Sequence, residues 1–512
     1  MTISDFESRD IGDMAAVGAC GATWVRFWVR VQLPGEHSIE LRSHGDERSA
    51  SVELLPAADA DGTLSFLYPS DVPGGSALEP ATVYRYWILR GADLVGEGRF
   101  ETAPLGARDS PARFSFAVAS CHQPFDADGN VDARSLGLLS VLERALQEQD
   151  VKRVFLMGDQ MYADYPKHCS LFEQKFFAKV APAGRKDVLE CTSQEVRALY
   201  QRRYRAFWSQ EGFRQLLANY SCHMIMDDHE LKDNFGSAPE HAEPPWQAIR
   251  EGALNAFQDY QGQLTRGRGP KRPASFDYQL TYGDVALYCL DLRSQRYNDG
   301  EKLQICSAEQ LDALEAFLAQ SADKQVFMLI VSVPLMIFPR WVAAMGMQLT
   351  GEDSDAADRW SNPKAAESCQ RLTEILFENQ KRNPRQRSVL LGGDIHVGCV
   401  VQFAWRDEAV RPMYQLVSSA MSNYTDVLAR TLGKLVPQFH SEVEGPDGSL
   451  WARVELIDGE GEAAQNPYDQ LNVGIVEMTR QADGSLGVRL KLITHDDADP
   501  PNPRTVFCSA LL

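Results

Sequence analysis

Val154-Phe155-Leu156-Met157-Gly158-Asp159-Gln160-Met161-Tyr162-Ala163-Asp164 is the stretch on which the fold turns. A short apolar run ends on glycine, and an acidic cluster follows at once. Short β-rich runs flanked by glycine read as buried strands. The pattern recurs three times: Phe114–Ser120 runs into Cys121-His122, Met224–Met226 into Asp227-Asp228-His229-Glu230, and Ser388–Leu391 into Gly392-Gly393-Asp394-Ile395-His396. In open α/β sheets, ligands collect beyond the carboxyl ends of the strands. Four strand ends carrying Asp, His and Cys therefore predict one metal centre assembled from distant parts of the chain.

From Phe114 onward, apolar strands alternate with helical spacing. Asp132–Gln149, Ser193–Ala218, Ala308–Gln320 and Lys364–Lys381 read as helices; Val285–Leu290 and Val326–Val331 read as strands. The tail from Asn472 to Ile493 returns to strands. This pattern is that of a layered α/β domain. Residues 166–192, 340–362 and 424–470 are too long for ordinary connections and read as lids or binding loops. Ahead of this domain, residues 19–103 hold several short alternating runs, among them Ala22–Val31, Thr63–Tyr68 and Thr82–Leu89. They predict a β-sandwich of immunoglobulin or fibronectin type. Pro104–Arg113 is a short polar linker, so the expected boundaries are 1–108 and 109–512.

Composition sets limits on partners. The chain has 512 residues, a formal net charge of −20 and 44% hydrophobic residues. An acidic surface argues against a duplex nucleic-acid partner, which needs a basic face. No apolar stretch approaches the ~20 residues needed to span a bilayer. The acidic start Met1-Thr2-Ile3-Ser4-Asp5-Phe6-Glu7 has no secretory-signal pattern, and the expectation is a cytoplasmic protein. The ten cysteines show no repeated spacing and no CxxC pair, which argues for reduced, buried thiols and against a zinc ribbon.

The clusters also carry a chemistry. A two-metal hydrolytic site needs a bridging carboxylate and further ligands for each ion. Asp159, directly after a glycine, suits the bridge. Asp228 and Asp394 are hard oxygen ligands of the kind Ca²⁺, Mg²⁺ or Mn²⁺ prefers, whereas Cys121, His396 and a tyrosine phenolate suit Fe(III) or Zn²⁺. The donor list is lopsided and predicts two unlike metals. Asp227, Glu230, His122 and Asp164 read as groups that support these ligands from outside. His223, inside an apolar run, reads as a hydrogen-bonded core histidine. Trp246, Trp341 and Trp360 read as packing for the insertions.

The ordered set Ser120-Cys121, Gly158 to Asp164, Asp227-Asp228-His229-Glu230 and Gly393-Asp394-Ile395-His396 resembles the PhoD-like alkaline phosphatases and phosphodiesterases of the calcineurin-like metallophosphoesterase superfamily. Leu290-Asp291-Leu292-Arg293 and Ser332-Val333-Pro334 look like further family segments. The resemblance implies a layered αββα catalytic domain behind the sandwich. It implies hydrolysis of small phosphate mono- or diesters by a metal-bridging hydroxide, with two or more metal ions. By it, Cys121 takes the place of the superfamily's first aspartate. Asp159 bridges, Asp228 stands at the asparagine position, His229 contacts the phosphoryl group, and Asp394 and His396 fill the last motif. Two tyrosines compete for the phenolate: Tyr162, spaced from Asp159 as in purple acid phosphatases, and Tyr200, in a segment similar to that of PhoD-like enzymes, which is preferred. Arg293 is a candidate for bidentate contact with phosphoryl oxygens, or for pairing with a carboxylate. The other reading is a non-catalytic phosphate- or metal-binding module on the same fold.

Overall fold

The computed structural model describes residues 6–267, 269, 271–424, 438, 441–444 and 450–512. The expected insertion at 424–470 therefore lies partly outside the described residues.

Two mixed sheets carry the larger part of the chain. The first has six strands in the order Ser221–Ile225, Val151–Met157, Arg113–Ala119, Val473–Arg480, Leu486–His495 and Pro503–Cys508. Its first three strands are parallel and the rest antiparallel. The second has eight, in the order Tyr278–Tyr282, Val285–Cys289, Val326–Ile330, Arg387–Gly392, Met413–Val417, Cys399–Trp405, Leu450–Leu456 and Ser441–Glu444. Val285–Cys289 through Met413–Val417 form its parallel centre.

Strand alternation divides the side chains between two environments. Phe114, Phe116 and Val118 share one cluster with Val285, Leu287, Met328 and Leu391 of the other sheet, so the sheets face each other. The alternate residues Ala117 and Ala119 pack with Leu139, Leu142 and Leu146 of the helix Leu136–Glu148. On the second sheet Ala286, Phe327 and Leu390 pack with Leu314, Phe317, Leu372 and Leu376 of the helices Ala308–Gln320 and Ala366–Arg382. Burial on both faces explains why the parallel strands read as continuous apolar runs rather than alternating ones. The architecture is mixed α/β.

The predicted helix Ser193–Ala218 is two helices, Ser193–Trp208 and Glu211–Asn219. Ser209 and Gln210 break it, and the apolar face resumes at a new angle with Phe213, Leu216 and Leu217 buried. The insertions hold short helices, Gln174–Val180 and Arg340–Thr350, and a long helix at Pro244–Phe257 has no counterpart in the sequence reading.

The N-terminal part forms two further sheets. One has the order Met14–Cys20, Val25–Arg30 and Thr63–Tyr68; the other has Asp46–Leu54, Gly35–Ser43, Val83–Arg90 and Asp93–Glu101. Their inward residues Val25, Phe27, Ile39, Leu41, Tyr84 and Tyr86 share one core. Trp28 leaves that core and packs on Trp208 and Tyr260, with its indole N–H donated to the Asp259 carbonyl. No helix among the described residues is long and apolar enough to cross a membrane.

Candidate metal centre

The parallel strands of both sheets end at one place. Ala119 leads to Cys121, Met157 to Asp159, Ile225 to Asp227 and Asp228, and Gly392 to Asp394 and His396. The turns that aim these side chains are strained. Cys121, Asp159, Asp394 and His396 all have positive φ, at 58°, 60°, 64° and 53°. Non-glycine residues hold that region only where their surroundings enforce it, and such strain gathers at functional sites. Gly158, at φ 95°, has no room for a side chain, because a Cβ there would meet the Asp227 Cβ at 2.3 Å. Close approach of two strand ends thus requires the glycine that marks the motif.

Three backbone N–H groups hold the turns in register through one carboxylate. Glu230 accepts from Asp159 N at 2.9 Å, Gln160 N at 2.6 Å and Asp227 N at 2.8 Å, and from the Gln261 amide. Ser419 Oγ lies 3.1 Å from Cys121 Sγ and accepts the His396 N–H at 3.0 Å.

The ligand atoms fall into two overlapping groups. One joins Asp159, Asp228 and His229; the other joins Asp227, Asp228 and Asp394, with all atoms of each within 4.8 Å. Asp228 is common to both. On the other flank of Asp159, Cys121 Sγ is 3.3 Å and the Tyr162 hydroxyl 3.1 Å from Asp159 Oδ2. Tyr162 is thus the tyrosine brought to the cluster. Tyr200 is held elsewhere, its buried hydroxyl donating to the Leu231 carbonyl.

The charge state tests whether a cation fits here. Asp159 Oδ1, Asp228 Oδ1, Asp227 Oδ2 and His396 Nδ1 are buried without a hydrogen-bond partner. Burial, then Cys121 and the neighbouring aspartates, pushes Asp159 well above the usual carboxylate range. Burial likewise pushes Cys121 up to about 11 and Asp227 up to about 6, and pulls His396 down to about 4. Buried carboxylates crowded together cost free energy unless a cation or proton neutralises them. The donor set, with four aspartates, the Cys121 thiol, the Tyr162 phenol and the imidazoles of His229 and His396, fits metal ions.

His229 sits at the rim. Its Nδ1 is 2.7 Å from Asp164 Oδ1, and its ring lies 4.2 Å from that of Tyr162. Burial works against the imidazolium, but Asp164, Asp228 and Asp159 together hold His229 well above its ordinary value.

Arg293 occupies a place other than the one expected for a phosphate contact. Its Nε donates to Asp227 Oδ1 at 2.6 Å, and Nη1 and Nη2 donate to the two oxygens of Asp358 at 2.7 and 2.6 Å. The guanidinium is fully buried and serves as counter-ion to two carboxylates. His122 is likewise committed, with Nδ1 3.0 Å from Ser422 Oγ and Nε2 3.0 Å from the Phe207 carbonyl. His223 stacks between Phe155 and Tyr278, but both ring nitrogens are buried without a partner, so the expected hydrogen bond is not there. Trp360 packs as expected and donates to the Val333 carbonyl; Trp246 packs on Phe172 and His241; Trp341 is 54% exposed.

Two residues of the site escaped the sequence reading. Asp358 and Arg359 come from the insertion 340–362, and Arg359 Nη1 contacts Asp394 Oδ2. Ser237 and Arg296 complete the ring around Asp358. The available signal was the run Asp358-Arg359-Trp360-Ser361-Asn362, in which charge, aromatic and a helix-capping asparagine stand together.

The model of the PhoD-like phosphatase family matches residues 116–443, more than half of the chain. The chain belongs to the PhoD-like phosphatase family. Membership points to phosphoester hydrolysis. Among solved structures, that of PhoD matches with a TM-score of 0.62 at 15% identity, covering 97% of this chain and 89% of that one. At that identity the likeness is one of fold. A Ruminococcus gnavus β-glucuronidase matches at 8% identity with a TM-score of 0.22, covering 74% of this chain and 54% of that one, which carries no argument. No curated protein matches the chain. The PhoD-like match begins within the strand Arg113–Ala119, so the N-terminal sheets lie ahead of the family region.

Proposed function

We propose that this PhoD-like chain is a metal-dependent phosphoric ester hydrolase acting on small mono- or diesters. The observation that carries the reading is the set of buried ligand atoms without partners around Asp159 and Asp228, presented by strained turns at four converging strand ends. In this reading Asp159 with Cys121, Tyr162 and His396 would hold Fe(III) or Zn²⁺ by ligand softness, and Asp159 with Asp228 and Asp394 would hold the harder Ca²⁺, Mn²⁺ or Mg²⁺. When bound, the metals supply a water of lowered pKa and neutralise charge on phosphoryl oxygens.

The protein's own groups account for the remaining steps. His229, whose Nδ1 is held by Asp164, donates a proton from Nε2 to the leaving oxygen. Asp164 fixes the ring through Nδ1 and so sets which nitrogen faces the substrate. Glu230 and Gly158 hold in register the turns that present the ligands.

Residues 1–108 are read as a sandwich of immunoglobulin or fibronectin type, and 109–512 as a catalytic domain with αββα layering. The shared cores described above support both. The experiment is metal analysis of the purified protein beside hydrolysis of a chromogenic monoester and diester. D159N is expected to lose metal and both activities. A fully active D159N would overturn the proposal.

A further inference from the structure

The insertion 340–362 begins exposed and ends buried. Trp341, Met345 and Leu349 of its helix are more than half exposed, while Ala357, Asp358, Arg359, Trp360, Ser361 and Asn362 are all buried. Asp358 anchors that end. It receives two hydrogen bonds from Arg293, an ion pair from Arg296 and the Ser237 hydroxyl. Trp360 is tied to the Val333 carbonyl. Arg359, between these two fixed residues, is therefore held in place and not free to swing to solvent.

Its side chain enters the metal centre. The guanidinium lies over the Phe338 ring, with Cζ 5.0 Å from the centroid, and Nη1 contacts Asp394 Oδ2. Its Nε is buried with no hydrogen-bond partner. A buried guanidinium with an unused donor is costly unless an anion completes it. Asp394 does not complete it if that carboxylate serves a metal. A tetrahedral oxyanion offers paired acceptors that match the planar guanidinium fork. Arg293, the arginine singled out by sequence, cannot take this role, since its donors are spent on Asp227 and Asp358.

We propose that Arg359 is a substrate-binding residue of this site that grips the phosphoryl oxygens and releases Asp394 to the harder metal. The inference rests on the phosphoesterase reading. It assigns the insertion a direct part in recognition, with Phe338 as the platform and Asp358 as the anchor.

Inorganic phosphate is the probe. Calorimetric titration into the metal-loaded protein, with metal content measured on the same samples, compares wild type with R359A, R359K and R359Q. R359A is expected to bind phosphate at least about tenfold more weakly with metal content unchanged, because a charge-assisted pair is lost. R359K keeps the charge without the fork and is expected to fall between. If R359A does not fold, R359Q keeps the stem on Phe338 and carries the same test. Unchanged phosphate affinity in the folded variant, or a loss of metal in step with the loss of phosphate, would overturn the proposal. A wild-type protein that turns over esters while R359A binds phosphate normally removes this inference alone. A wild-type protein that neither binds phosphate nor turns over any ester removes the phosphoesterase reading, and this inference with it.

Discussion

Asp164 Oδ1 lies 2.7 Å from His229 Nδ1, and the Asp164 carboxylate also accepts the backbone N–H of Asp233. The pair couples the turn after Val151–Met157 to the turn after Ser221–Ile225. It fixes the ring of His229, the acid of the proposed mechanism. D164N is expected to lower kcat by about 10²-fold, the usual worth of a positioned general acid, with little change in KM. The loss is expected to shrink for esters with a nitrophenolate leaving group, which departs without a proton. Equal losses on activated and alkyl esters would show that Asp164 does not act through His229.

The two tyrosines are separable by experiment. Y162F is expected to lower bound metal and turnover together, since its hydroxyl lies 3.1 Å from Asp159 Oδ2. Y200F is expected to leave metal content unchanged and to destabilise the fold by about 1–3 kcal/mol, because the buried Leu231 carbonyl loses its donor. Elemental analysis and urea unfolding on both variants check this. Metal loss in Y200F alone would reverse the assignment.

Arg293 is expected to matter for folding more than for substrate. R293A leaves Asp227 and Asp358 buried without their shared counter-ion, at a cost of about 3–5 kcal/mol. A shift of the urea midpoint measures it. An R293A protein as stable as wild type, with raised KM only, would restore the phosphate-contact role.

His223 makes the fold sensitive to acid. Burial, with Arg153 adding, pulls its folded-state value down to about 3, whereas the unfolded imidazole titrates near ~6.5. Between these values the unfolded chain takes up a proton that the folded chain refuses. Stability therefore falls as pH falls, by ~1.4 kcal/mol per pH unit at this group. H223F removes the effect. The stability difference between pH 7 and pH 5 is expected to shrink by about 2 kcal/mol, read from urea midpoints. The same pH dependence in both proteins would refute it.

Much of the centre was legible because each parallel strand is a continuous apolar run that stops at a glycine or a cluster of polar ligands. Cys121, Asp159, Asp228, His229, Asp394 and His396 stand directly after such runs, so strand order alone brings them together. The sequence favours Tyr200, whereas the structure brings Tyr162 to the cluster; both follow plausible spacings, and only the packing of Ser193–Trp208 turns Tyr200 towards Leu231. Asp358 and Arg359 were hidden for a different reason. They sit in an insertion with no period, and their role depends on contacts to Arg293 and Asp394, distant in sequence. Met14–Cys20 was missed as a strand because it is buried on both faces and lacks alternation. His223 was misread because a stacked imidazole without hydrogen bonds looks, in sequence, like any other core histidine.

The central claim is that bound metal at the Asp159–Asp228 cluster is required for ester hydrolysis. The most direct measurement is turnover of a chromogenic phosphate monoester and diester by wild-type protein before chelation, after chelation and after metal is restored. The account predicts that activity is lost on removal and returns on reconstitution with a soft-side and a hard-side ion together. Undiminished turnover by protein shown to be free of metal would contradict it.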